Sequence, residues 1–123
     1  MKKILIVEDE LALLYALASQ FDKKEFKVLQ AVDGEEGLKT ALKSHPDLIL
    51  LDLLMPKMDG MSMLKELRKD SWGKGVKVII LTNLSDAEKI DEALKQGTYD
   101  YLVKKDWNIS EVIEKVKASL GMK

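Results

Sequence analysis

Cysteine is missing altogether, which excludes disulfides, thiolate metal sites and thiol catalysis and fits a cytosolic chain. Long apolar runs are missing as well. The start imitates a signal peptide, but its apolar stretch, Ile4-Leu5-Ile6-Val7, is four residues long, too short for a signal core or a membrane span. An excess of either charge is also absent: 20 Lys and Arg stand against 21 Asp and Glu, so no overall field favours nucleic acid or an anionic membrane. Repeats, low-complexity tracts and linkers do not occur. Histidine is reduced to His45, before Pro46 and far in order from the residues discussed below, so a phosphohistidine role is not expected. What remains is a chain of 123 residues, 46% apolar and 33% charged, sufficient for one core without staples. The expectation is one soluble cytoplasmic domain over 1–123 with no second, output domain.

Strand and helix patterns alternate throughout. Ile4–Val7, Lys27–Ala31, Leu48–Leu51, Val78–Leu81 and Tyr101–Val103 read as strands, several of them continuous apolar runs of the kind buried on both faces of a parallel sheet. Between them lie helical patterns. Leu11, Leu14, Leu17, Ala18 and Phe21 mark one helix face. Asp33-Gly34-Glu35-Glu36 has capping-box spacing and opens a second helix with Leu38, Ala41 and Leu42 inward. A third helix runs roughly from Met61 to Lys69. Ser85-Asp86-Ala87-Glu88 repeats the box and starts a fourth, through Ile90 and Leu94 to Gly97. Ile109, Val112, Ile113, Val116 and Leu120 mark the last. This is a (βα)5 order, and right-handed crossovers put helices on both faces of one sheet.

The informative residues follow the strands. Glu8 and Asp9 come after the first, Asp52 after the third, Thr82 after the fourth and Lys104 after the fifth. The carboxyl edge of an open parallel sheet is where such folds bind ligands. Three carboxylates there repel one another, and a hard dication such as Mg²⁺ relieves that repulsion. An ionised carboxylate is also a nucleophile that needs no general base. The set suits a divalent cation and a phosphoryl group.

Together, Glu8-Asp9, Asp52 with Pro56 and Gly60 behind it, Thr82, and Gly97…Asp100-Tyr101…Lys104 resemble the receiver domain of two-component response regulators, the CheY-like superfamily. The likeness runs the whole length of the chain. It implies a flavodoxin-like three-layer α/β sandwich with strand order 2-1-3-4-5. It implies Mg²⁺ held by Asp9 and Asp52 directly, by Glu8 through water and by the backbone carbonyl of Leu54. It further implies that Asp52 accepts a phosphoryl group from a histidine kinase or phosphotransfer protein, with Thr82 and Lys104 neutralising the transferred oxygens. Thr82 and Tyr101 would then switch a surface of helix four, strand five and helix five that meets a downstream protein. Lys89, Asp91, Asp100 and Lys115 on that surface suit self-pairing into a homodimer. Such a protein is a signalling phosphoacceptor rather than an enzyme.

The chain departs from this pattern at three places. Lys105 replaces the proline that many receivers carry after the strand-five lysine across a cis bond, so either a trans bond or a cis bond held by its surroundings is expected. Asn83 stands where a small residue is usual. Leu54 and Leu84 occupy positions that in the family tune phosphoryl lifetime, and two apolar side chains there predict a long one. A flavodoxin-like cofactor binder would need a Gly/Ser/Thr-rich first loop, and Val7-Glu8-Asp9-Glu10 is acidic. A haloacid-dehalogenase-like phosphatase would need a second acid where Leu54 sits. A degenerate receiver, binding proteins without phosphorylation, is the remaining alternative. Trp72, Trp107 and the methionines at 55, 58 and 61 read as packing residues.

Overall fold

The computed structural model describes residues 1–83 and 87–122. Five strands, β1 (Lys2–Val7), β2 (Phe26–Ala31), β3 (Leu48–Leu51), β4 (Lys77–Thr82) and β5 (Asp100–Val103), form one parallel sheet of order 2-1-3-4-5. The helices α1 (Leu11–Gln20), α2 (Gly34–Ser44), α3 (Gly60–Lys69), α4 (Ala87–Lys95) and α5 (Ile109–Ser119) connect them. Alternate strand residues point to opposite faces. Ile4, Ile6, Leu48, Leu50, Ile79 and Leu81 therefore pack on α1 and α5. Leu5, Val7, Ile49, Leu51, Val78 and Ile80 pack on the other side, with Ala41, Met63, Leu64, Leu67 and Ala93. The three-layer α/β sandwich is the expected flavodoxin-like fold. None of its helices, among the described residues, is long and apolar enough to cross a membrane.

Two helices bury only part of the face the hydropathy pattern marked. Of the face expected inside α2, Ala41 is buried and Leu38 half-buried, but Leu42 is 39% exposed, and Gly34 and Gly37 take up the contact instead. A side chain on Gly37 would put its Cβ 2.9 Å from both methyls of Val7, so the glycine is what lets the helix lie against β1. In α4 the buried residue is Ala93, while Leu94 is 49% exposed and Ile90 half-buried. Leu11, also expected inside, is the first residue of α1 and is 50% exposed. The box at Ser85 lies outside the described residues, as does Leu84. Of the caps that are described, Asp33 accepts the Glu36 N–H at 2.8 Å, and Asp59 accepts that of Ser62 at 2.8 Å. Asn108 and Glu111 form a reciprocal box that starts α5. Every described peptide bond is trans, including Lys104–Lys105.

Candidate functional site

Register brings the reactive groups together. Val7 pairs with Leu51, Leu51 with Ile80, and Thr82 with Val103. The strands thus finish at one edge, and the next residues, Glu8, Asp52 and Lys104, emerge side by side. Backbone bonds continue the sheet past its last pairs: the Asp52 N–H donates to the Val7 carbonyl at 3.0 Å, and that of Glu8 to Ala31 at 3.0 Å. Gly60 is needed behind Asp52. A Cβ at Gly60 would lie 2.2 Å from the Asp52 carbonyl oxygen, and the Gly60 N–H donates to Leu53 at 3.0 Å. The glycine eight residues after Asp52 therefore lets the start of α3 pass directly beneath the strand end.

Lys104 is the cation at the centre. Its Nζ lies 2.8 Å from Glu8 Oε1, 3.1 Å from Asp52 Oδ2 and 3.6 Å from Glu10 Oε1. Glu8 and Asp52 are buried, at 2% and 4% exposure, and Asp9 is exposed. Each buried carboxylate uses its second oxygen on backbone: Glu8 Oε2 accepts the Glu10 N–H at 3.1 Å, and Asp52 Oδ1 accepts that of Leu54 at 3.1 Å. Burial pushes the Glu8 carboxyl up to about 7; the Asp52 charge adds to this, against the bonds from Lys104 and Glu10. Burial disfavours the charged Lys104, yet its bonds to Glu8 and Asp52 outweigh that and raise its pKa.

Glu8, Asp9 and Asp52 each offer an oxygen, and the three lie within 4.8 Å of one another. The one described ammonium beside them, Lys104, does not balance three carboxylates. All-oxygen donors with surplus negative charge suit a hard divalent cation. Asp9, Asp52, Leu54, Thr82 and Lys104 line one open cleft of about 180 Å³. Thr82 is fully buried. Leu54 is 54% exposed at the rim. Tyr101 is half-buried against the α2–α4 side of the core and does not line the cleft.

One lining residue was not singled out by sequence as a site member. Glu10 is the N-cap of α1 and reaches Lys104; its position right after Glu8-Asp9 was the available signal. Asn83 also lines the cleft. His45 stacks on Trp72, ring centroids 4.2 Å apart, after the far end of α2 and away from the cleft. The charged residues expected to pair between copies find partners within the chain: Lys115 with Asp100 at 2.8 Å, Lys95 with Asp91 at 3.2 Å, and Lys89 with Glu92 at 3.9 Å.

A family model described as the response regulator receiver domain matches residues 4–117. A probable transcriptional regulator, ycf27, of Porphyridium aerugineum is 41% identical over 103 residues, covering 84% of this chain but only 42% of that protein. Sporulation initiation phosphotransferase F of Bacillus subtilis is 33% identical over 122 residues, covering 99% of this chain and 96% of that protein. A CheY-like receiver domain protein of Methanospirillum hungatei superposes with a TM-score of 0.89 at 29% identity, covering 98% and 94% of the two chains. The receiver domain of the Pseudomonas aeruginosa sensor histidine kinase PA1611, solved with magnesium in its active-site cleft, gives 0.85 at 27% identity, covering 98% of each.

Proposed function

Because the chain belongs to the response regulator receiver domain family, we propose that it accepts a phosphoryl group on Asp52 from a phosphohistidine donor, a histidine kinase or phosphotransfer protein. The observation that carries this reading is the buried Asp52 carboxylate, 3.1 Å from Lys104 Nζ and within 4.8 Å of oxygens of Glu8 and Asp9. In the transfer, an Asp52 oxygen forms the new O–P bond. The donor P–N bond breaks, and its electron pair leaves with the imidazole. Lys104 supplies positive charge to the phosphoryl oxygens, and Thr82, at the adjacent strand end, supplies a hydroxyl donor. Glu8, Asp9 and Asp52, with the Leu54 carbonyl, would hold Mg²⁺, which supplies charge neutralisation at the transferring group.

The phosphorylated aspartate adds charge and strong acceptors at the end of β3. Thr82 and Lys104 are drawn toward them, Tyr101 turns inward, and the surface of α4, β5 and α5 changes its affinity for a downstream protein. A homodimer through that surface has to exchange the Lys115–Asp100 and Lys95–Asp91 pairs for contacts between copies. The near-equal count of basic and acidic residues, 20 and 21, gives this domain no general attraction for nucleic acid.

Intact mass after incubation with Mg²⁺ and acetyl phosphate tests the reading. A gain of one phosphoryl group is expected for the wild type with Mg²⁺, and none with EDTA or for Asp52→Asn. No gain by folded wild type with Mg²⁺ present would sink it and favour a phosphorylation-independent binding module.

A further inference from the structure

Lys104 carries the positive charge of the site on a four-carbon stem that is intrinsically floppy, with rotatable donors and no fixed fork. Something must aim it. Its ammonium faces Glu8 and Asp52, and beneath it lies a small cavity of about 40 Å³ lined by Lys104 together with Leu13, Leu17, Leu81, Trp107 and Val112. With the ammonium occupied above, the part of Lys104 that meets these apolar residues is its methylene stem, the arrangement long cationic side chains adopt along apolar surfaces. Trp107 contributes twice. Its half-buried indole packs against the α1–α5 side of the core, and its backbone N–H donates to the Lys104 carbonyl at 3.3 Å, closing a 3-10 turn over Lys104–Asp106.

The turn is held from both sides. Upstream, Val103 is locked in register with Thr82. Downstream, Asn108 begins α5 in a reciprocal capping box with Glu111 at 2.9 and 3.0 Å. Lys105, where many receivers place proline, is exposed. The fixed element after Lys104 is thus the closed turn and the ring that ends it.

We propose that Trp107 is a positioning residue for phosphoryl transfer, its indole walling the Lys104 stem so that the ammonium is aimed into the cleft. The inference rests on the Asp52 phosphoacceptor reading above. Its test is a double-mutant cycle in the full chain, scored by the initial rate of Asp52 phosphorylation from acetyl phosphate with Mg²⁺. Trp107→Ala should slow uptake about tenfold, inside the roughly hundredfold that an ångström of misplacement can cost. Trp107→Phe, which keeps an aromatic wall, should recover most of the rate. In a Lys104→Ala background, itself slow, Trp107→Ala should cost nothing more, because the group it aims is gone.

A general loosening of the fold gives a different pattern, with the same fold-loss in both backgrounds; that result overturns the proposal. So does a folded Trp107→Ala protein with an unchanged rate. Trp107→Leu takes the place of the alanine variant in the cycle if that protein does not fold, with Trp107→Phe again as the rescue. A wild-type chain that takes up no phosphoryl group refutes the phosphoacceptor reading itself, and is separated from these outcomes by its own control lane.

Discussion

Glu8 is the residue at which the site and the fold compete. A carboxylate 2% exposed beside Asp52 is a poor choice for stability, since desolvation and a like charge both oppose its ionisation. Its one strong compensation is Lys104 at 2.8 Å. In metal-free protein the folded chain holds the Glu8 proton up to about pH 7, whereas the unfolded chain releases it near 4.5. The folded state therefore binds more protons between those values, and stability falls as pH rises through that window. At about 1.4 kcal/mol per unit the loss is on the order of 3 kcal/mol. Glu8→Gln should flatten that slope in urea melts with EDTA and be the more stable protein above pH 7. It should also bind Mg²⁺ more weakly, by a titration of intrinsic fluorescence or heat. A steep slope retained in the glutamine variant would mean that another group carries the penalty.

Among the elements, α4 is held least by apolar burial and most visibly by Arg68. Only Ala93 of that helix is buried. Arg68, in the last turn of α3, donates Nε to the Gln96 carbonyl at 2.7 Å and Nη2 to Gly97 at 2.9 Å, where α4 ends. Its Nη1 meets the carbonyls of Gly73 at 2.7 Å and Val76 at 2.9 Å, in the approach to β4. One planar guanidinium thus ties three segments at the edge opposite the cleft, a geometry that lysine cannot reproduce. Arg68→Met should cost about 2–4 kcal/mol by urea unfolding, from charged hydrogen bonds worth roughly 1.5–3 each and not additive. Arg68→Lys should recover little of it. Hydrogen exchange should rise first around residues 95–98; loss spread evenly over the sheet would refute the clamp. Such a contact is illegible in sequence, because it joins a side chain to backbone carbonyls 28 and 29 residues away. Leu42 and Leu94 misled for a related reason: hydropathy marks large apolar residues, whereas α2 and α4 dock through Gly37 and Ala93, where closeness matters more than area. Apolar runs ending in Glu8, Asp52 and Thr82 did reveal the strands and the site's edge, since period and charge both survive in one dimension.

At the scale of the whole molecule, the sheet collects charge at one end that its own side chains leave unbalanced. Glu8 and Asp52 share one ammonium, that of Lys104, and Asp9 brings a third carboxylate within 4.8 Å; each follows a strand that also builds the core. Relief of that charge should therefore be felt as stability of the entire domain. A cation that binds only the folded chain stabilises it by RT ln(1 + [L]/Kd), about 2.7 kcal/mol at a hundredfold excess over Kd. For a domain of this length that corresponds to a rise in Tm of roughly 10 °C. Mg²⁺ should produce this rise in a thermal scan, and EDTA should reverse it. NaCl at matched ionic strength should not, because screening acts weakly on groups buried like Glu8 and Asp52. Asp9→Asn should lose most of the effect while melting near the wild type in EDTA, as Asp9 is exposed and its removal leaves the core untouched. If NaCl and Mg²⁺ raised the Tm equally, the cluster would be a screened acidic edge. If Mg²⁺ alone did so, and Asp9→Asn abolished it, the strand ends would be acting as one metal-responsive unit with the fold behind them.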